Sequence, residues 1–326
     1  MTYILGIDIG GTNIKLGLTD HAGNILHKTQ IKTQADALNQ DEIVRNIIAS
    51  AEGLLTENGI VKGDVEAVGI GSPGTPDNLT GTLVYASNLP FKDVPLRKMF
   101  NEAFGVPVYV VNDANAAALA ETRIGAGRDC QSSVTITIGT GIGGGVVIRD
   151  RVYAGFNDAG AELGHTTIML DGDVCTCGRK GCFERYASAA ALGRQTEAAA
   201  KAHPESLLAE MVAANDGRGN GRIPFEAMNQ GCAVGKAVVD QYIYYLTEGL
   251  ANFVNAFMPE ILIIGGGVSH EGQYFLDMLV EPTLEKSFLF GNVRKPRFAL
   301  AELGNGAGIS GAALYALDCV RDGIPG

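Results

Sequence analysis

Tryptophan is absent from the 326-residue chain, so no ligand platform here is built by indole stacking. No apolar run approaches the ~18 residues of a membrane span, and a membrane partner is not expected. Cysteine is sparse, six in all, too few for a disulfide framework. Charge is also scarce at 19% of residues, and cations are the rarer sign: 25 Lys and Arg against 36 Asp and Glu, a net −11. Proteins that coat nucleic acid neutralise phosphates with clustered Lys and Arg, so nucleic acid is not an expected partner either. Met1–Ile9 is apolar but lacks a basic flank and meets Asp8 too early for a secretory leader, which points to a cytoplasmic protein. What remains is a globular composition, 46% hydrophobic, long enough for about two domains at ~150 residues each.

The chain opens as a strand over Tyr3–Ile9, breaks at Gly10-Gly11-Thr12, and resumes through Ile14–Leu18. A second strand runs over Asn24–Ile31. Apolar Ile43, Val44, Ile47, Ile48, Ala51, Leu54 and Leu55 give Asp41–Asn58 helical periodicity, closed by Gly59. Val65–Ile70 reads as a buried strand ending in Gly71-Ser72-Pro73-Gly74. Val106–Val111 is another, leading through Asn112-Asp113 into the helix Ala114–Glu121.

The opening returns in the second half. Val134–Ile138 is a strand, Gly139-Thr140-Gly141-Ile142-Gly143-Gly144 a glycine turn, and Gly145–Ile148 a returning strand, with Val152–Gly155 beyond. Two copies of strand, glycine turn and strand predict an internal duplication on mixed sheets flanked by helices. A helix over Asp240–Phe257 then runs into a buried strand, Glu260–Ile264, and a third glycine turn, Gly265-Gly266-Gly267. Asn215–Pro224 reads as an exposed loop.

The string Gly139-x-Gly141-x-x-Gly144 fits a dinucleotide fingerprint only as text, because that fingerprint needs a helix next and β-branched residues follow instead. No P-loop string occurs. Hairpin tips carrying Thr12 and Thr140 offer backbone N–H groups and hydroxyls at close range, which suits phosphate oxygens. Three such turns favour a nucleotide held between two halves.

Cys175, Cys177 and Cys182 crowd together, with His165 upstream. Three thiolates and an imidazole make a closed tetrahedral set, which suits a structural Zn²⁺. Cys130, Cys232 and Cys319 have no such company.

Asp8-Ile9-Gly10-Gly11-Thr12-Asn13, the Gly139-Thr140-Gly141 turn and the third glycine turn resemble the actin-like superfamily of sugar kinases. Asn112-Asp113-Ala114-Asn115-Ala116, Glu162-Leu163-Gly164-His165 and Cys175-Thr176-Cys177-Gly178-Arg179-Lys180-Gly181-Cys182 narrow this: the chain resembles the ROK family over essentially its whole length. The resemblance implies an α/β fold of two actin-like, ribonuclease H-like lobes with a duplicated mixed sheet and a cleft that closes on the sugar. The first lobe is expected over 1–111, completed by a C-terminal helix at 312–326, and the second, with the zinc loop, over 112–311. It implies ATP-dependent phosphorylation of a hexose, with Asp113 as catalytic base and Gly74, Asn88, Asn112, Asp113, Glu162, His165 and Glu184 around the sugar. Asp8, Gly10, Gly11, Thr12, Asn13, Lys15, Thr140, Gly141, Gly265 and Gly266 fall to the nucleotide, with Asp8 toward Mg²⁺. His165 would serve twice, one ring nitrogen on zinc and the other toward the sugar.

ROK repressors carry a winged helix ahead of the first glycine turn, and here that turn begins at Gly10. Glu184-Arg185-Tyr186-Ala187-Ser188-Ala189 is similar to the glucokinase version of its segment, so glucose is the first expectation. Kinases of N-acetylmannosamine, N-acetylglucosamine, fructose or allose share the motifs, polyphosphate stays open as donor, and a sugar sensor without turnover is the reading from another class. Homodimers and homotetramers are both common in the family.

Overall fold

A computed structural model describes residues 2–86 and 89–326. The strands are β1 (Tyr3–Ile9), β2 (Asn13–Thr19), β3 (Ile25–Lys32), β4 (Val65–Ser72), β5 (Thr75–Asp77), β6 (Thr82–Tyr85), β7 (Lys92–Val94), β8 (Val108–Asn112), β9 (Ser133–Ile138), β10 (Ile142–Ile148), β11 (Arg151–Val152), β12 (Ile261–Gly266) and β13 (Arg297–Leu300). The helices are α1 (Gln40–Glu57), α2 (Leu96–Phe104), α3 (Asp113–Arg123), α4 (Phe183–Ala187), α5 (Ala189–Ala202), α6 (Leu207–Ala214), α7 (Ile223–Asn229), α8 (Ala233–Phe257), α9 (Gln273–Lys286) and α10 (Ala307–Arg321).

Two five-stranded sheets repeat one order, β3-β2-β1-β4-β8 and β11-β10-β9-β12-β13. In each, a glycine-tipped hairpin (β1–β2, β9–β10) lies beside a later buried strand (β4, β12). This is the duplicated, actin-like α/β architecture. The first sheet is mixed, antiparallel at β1–β2 and β2–β3 and parallel at β1–β4 and β4–β8. A small antiparallel sheet, β5-β6-β7, was not foreseen, because its strands have only three or four residues each.

The chain divides into two compact units: Met1–Ser133 with Gly145–Ala161 and Glu302–Gly326, and Val134–Gly144 with Glu162–Ala301. The boundary expected after Val111 lies elsewhere. Residues 112–133 stay in the first unit because α10 packs along α3 so closely that a Cβ on Gly311 would stand 1.8 Å from the Ala116 carbonyl oxygen.

Period-two alternation sorts β1 onto two faces. Leu5, Ile7 and Ile9 join a core with Ile43, Val44 and Ile47 of α1 and Phe100 of α2, each large side chain contributing roughly 1.5–3 kcal/mol by burial. Ile4, Gly6 and Asp8 face α10, whose Ala313, Ala316 and Leu317 cover Ile4 and Ala67. Glycine is required beneath that helix: a Cβ on Gly69 would stand 1.9 Å from Ala312 O, and one on Gly6 2.2 Å from Ile309 O.

Several boundaries differ from expectation. α8 begins at Ala233, well before Asp240, because the Cys232 Sγ accepts from the Gly235 N–H (3.4 Å) and caps the helix. The loop expected over Asn215–Pro224 ends where α7 starts, with Pro224 in its first turn. The strand expected over Val152–Gly155 reduces to β11, paired Val147↔Val152 and Ile148↔Arg151.

Candidate functional site

The two units carry separate clusters. In the first, β1, β4 and β8 run parallel, and their C-terminal ends bring Asp8 level with Gly71 and Ser72 level with Asn112. Strand ends in such a sheet are where ligands gather, since the following turns project side chains past the sheet edge.

Asn112 closes β8 and caps α3. Its Oδ1 accepts from the N–H groups of Ala114 (2.9 Å) and Asn115 (3.2 Å), and its Nδ2 donates to Gly74 O (3.2 Å). Asn112, not Asp113, is thus the N-cap of α3. Asp113 occupies the first helical position, its Oδ1 also accepting from Ala114 N–H at 2.9 Å. Gly74 has φ +99°, and a Cβ there would lie 2.0 Å from Tyr85 O, so glycine is obligatory beside Asn112.

The first glycine turn joins Asp8 and Lys15, which are paired across β1–β2. Gly10 N–H donates to Asn13 O (3.1 Å), and Thr33 ties the turn from below through Thr33 Oγ1 to Gly10 O (2.6 Å) and Thr33 N–H to Thr12 O (3.1 Å). Gly11 and Thr12 are left exposed at the tip. Lys15 Nζ reaches Asp8 Oδ2 at 3.3 Å and Asn305 Oδ1 at 3.4 Å. Burial pushes the Asp8 carboxyl above the usual carboxylate range, outweighing the Lys15 charge. A partly buried, under-compensated carboxylate suits a divalent cation. Gly308, near the start of α10, comes so close that a Cβ would lie 2.5 Å from Asp8 Cγ. The sequence reading missed Asn305 and Gly308, although Gly304-Asn305-Gly306-Ala307-Gly308 ahead of an apolar helix was a visible signal.

A raised folded-state pKa means that ionised Asp8 costs the fold at neutral pH, a cost absent below the unfolded value of 3.8. Asp8→Asn is expected to raise the melting temperature at pH 7 while lowering turnover. The gain should shrink as pH falls toward 3.8, where the parent carboxyl takes up its own proton. Melting curves at pH 7 and pH 4 check this, and a variant less stable than the parent at pH 7 would contradict it.

In the second unit, the Gly139–Gly144 turn rests on α4 and the 3₁₀ turn Leu163–His165. Ile142 N–H donates to Glu184 Oε2 (2.9 Å), and Ala189 N–H donates to Gly139 O (2.9 Å). A Cβ on Gly141 would lie 2.3 Å from Glu184 Oε2, and one on Gly164 would lie 2.4 Å from Ile142 O. Thr140 and Gly141 thus stand beside Glu184, a pairing no sequence spacing announces. Glu162 ends the preceding loop. Desolvation pushes its carboxyl up, with His165 opposing and Glu184 adding to the shift, which puts all three within electrostatic reach. Gly266, at the third turn, has φ +87° and passes so near β9 that a Cβ would meet Ile138 O at 2.4 Å. Asn88 lies outside the described residues.

The sulfur cluster assembles around the same turn. One ligand atom each from His165, Cys175, Cys177 and Cys182 lie within 4.8 Å of one another. Cys175 Sγ is 3.7 Å from His165 Nδ1, and Cys177 Sγ is 3.6 Å from Cys182 Sγ. Metal–sulfur bonds of ~2.3 Å in a tetrahedron give S···S edges of about 3.8 Å, so the set fits a zinc-sized ion. A backbone N–H from Arg179 draws the Cys177 thiol downward, while burial pushes Cys182 up to about 12. The Cys182 thiol therefore keeps its proton at neutral pH unless a cation replaces it. The Nδ1 side of His165 faces this cluster. Among the described residues, no helix is long and apolar enough to cross a membrane.

Comparison with known proteins places this geometry. The ROK family profile matches residues 4–319. A glucokinase of Streptomyces coelicolor is 37% identical over 319 residues, covering 96% of this chain and 97% of its own. A xylose repressor of Caldicellulosiruptor bescii is 30% identical over 286 residues, 88% of this chain and 71% of its own. The crystal structure of a ROK family glucokinase from Streptomyces griseus, in complex with glucose and AMPPNP, is 36% identical with a TM-score of 0.77, covering 97% of this chain and 99% of that one. With its duplicated sheet, its glycine turns and its profile match from end to end, the chain belongs to the ROK family.

Proposed function

We propose that this ROK family sugar kinase transfers the γ-phosphoryl group of ATP to a hexose, glucose first, giving glucose 6-phosphate, with Asp113 as general base. The observation that carries the reading is Asp113 itself, a carboxylate at the first position of α3 at the strand ends, next to an Asn112 fixed by Gly74. A 36%-identical structure that holds glucose and AMPPNP supports the choice of substrates.

In this reading the Asp113 carboxylate takes the proton of the attacking hydroxyl, so the sugar oxygen gains nucleophilic character as its bond to phosphorus forms and ADP leaves. Asn112, Glu162, His165 and Glu184, together with Asn88 and the backbone at Gly74, hold the other hydroxyls. Short polar groups answer a ring of hydroxyls that each need a donor or an acceptor. The turns at Gly10–Asn13, Thr140–Gly141 and Gly265–Gly266 supply N–H groups to the phosphates, and Lys15 adds positive charge. Mg²⁺, held at Asp8, would neutralise charge on the transferring phosphates. Zn²⁺ on His165, Cys175, Cys177 and Cys182 would be structural, four protein ligands leaving no open position. Held by these four side chains, the ion would order the loop that carries His165 and leads to Glu184.

A coupled assay of ADP release with Mg·ATP, run against hexoses and N-acetylhexosamines, tests the reading. Glucose is expected to give the highest kcat/KM. Preference for an N-acetyl sugar would keep Asp113 and move the specificity. The 30%-identical repressor favours one other reading, a sugar sensor. Sugar binding with no turnover on any sugar would select it.

A further inference from the structure

A cavity lined by none of the residues assigned above lies in the second unit. It is a groove of about 710 Å³ between α5 and α8 in the second unit, within the ~300–1,000 Å³ usual for small-molecule sites. Its walls are apolar and small, with Ala191, Ala198 and Ala202 of α5 opposite Ala233, Ala237 and Val238 of α8. Tyr186 and Tyr245 form a tilted ring pair at one end, centroids 5.1 Å apart.

The polar groups at that end are unbalanced. Two guanidiniums, Arg185 and Arg194, line the groove with a single carboxylate, Asp173. Arg194 donates to Arg185 O at 2.9 Å and has no carboxylate within ion-pair distance among the described residues. Arg185 Nε reaches Asp173 Oδ2 only at 3.6 Å, and it is buried without a hydrogen bond, as is Gln195 Oε1. Buried polar atoms without partners are uncommon in native proteins and call for an explanation. An apolar trough ending in two tyrosine rings and the exposed guanidinium of Arg194, which has no carboxylate partner among the described residues, matches a molecule with a flat apolar body and an anionic head.

The same end touches the zinc loop and α4. The Asp173 N–H donates to Tyr186 Oη at 2.6 Å. Arg185 and Tyr186 share a five-residue helix with Glu184, whose other side takes the Ile142 N–H, and Phe183 anchors that helix, fully buried against Gly249 of α8.

We propose that the α5–α8 groove is a regulatory site for an amphipathic aromatic anion, whose occupancy changes sugar affinity by repositioning α4 and Glu184. The regulatory part rests on the kinase reading given above. The binding part does not.

The test uses the full chain and the fluorescent probe 8-anilino-1-naphthalenesulfonate, an aromatic body with a sulfonate head. Saturation at one equivalent per chain is expected. Arg194→Glu reverses the charge at the head, and Ala199→Trp fills the trough. Each should weaken binding tenfold or more, and each alone should leave basal turnover unchanged, since neither residue lies in the sugar or nucleotide clusters. Two variants of different chemistry keep the test valid if one fails to fold. Binding insensitive to both, or displaced by glucose with AMPPNP, would overturn the site. So would binding lost as the chain self-associates, which would give the groove to a second copy. With saturating probe, the glucose KM should shift at least threefold in the parent and not in Arg194→Glu, and an unmoved KM would overturn the regulatory role. If no sugar turns over at all, the kinase reading fails while the titration still decides the binding site.

Discussion

Asp113→Asn should lower kcat by roughly 10²–10⁴-fold, the range for loss of a general base, while the sugar KM moves by no more than about threefold. In free energy this is about 3–5 kcal/mol of transition-state stabilisation. The split between kcat and KM is what identifies a base. The amide keeps the size of the side chain and an oxygen for the Ala114 N–H, so the first turn of α3 should stay as it is. Asn112 supplies the cap, and its bonds to Ala114, Asn115 and Gly74 do not depend on the Asp113 charge. A melting temperature equal to the parent's would confirm that the loss is chemical. Steady-state kinetics on glucose provide the measurement, and a kcat within a few-fold of the parent would remove Asp113 from the role.

The second large effect is expected at the sulfur cluster. Cys177→Ser should reduce bound zinc from one per chain to a small fraction, lower the melting temperature, and reduce activity through the loop that leads to Glu184. Cys177 is the solvent-exposed cysteine of the cluster, so the substitution opens no cavity, and the loss reports on the metal. Each kcal/mol lost should cost about 2–4 °C in a chain of this size class. Metal analysis beside calorimetry checks this, and undiminished zinc would mean a different ligand set. Acid should act in the same direction. Zinc binding needs thiolates, so protons compete for the cysteines, and the parent should release metal as pH falls. Cys182, whose thiol burial pushes up to about 12, is the ligand that gives up its proton only in exchange for the ion.

The glycine turns and the cysteine cluster were legible because each is local. A glycine turn between two β-branched runs is set by neighbouring residues, and so is the Cys175–Cys182 spacing. The chain forms these features wherever they sit in the fold. Asp113 was legible in part: its place after a buried strand is a sequence fact, but only the structure shows Asn112 doing the capping. The Glu184 contact with Ile142 was not legible, since 42 residues separate the partners and nothing periodic links them. Nor was the division of the chain. Periodicity reports that a helix has an apolar face and is silent on which sheet that face covers, so residues 112–133 were assigned to the wrong side of the boundary.

The sequence by itself determined the repeated strand–turn–strand plan, the acidic and tryptophan-free character, the crowding of Cys175, Cys177 and Cys182, and the family. These depend on residue type and short spacing. Tertiary structure alone decided that α10 returns to lie on Gly6 and Gly69, that Asp8 is packed against Gly308, and that α4 carries Glu184 on one side and the arginine-lined groove on the other. All three arise from close packing between segments far apart in the chain. Such packing is a property of fitted surfaces, which no local pattern of residues encodes.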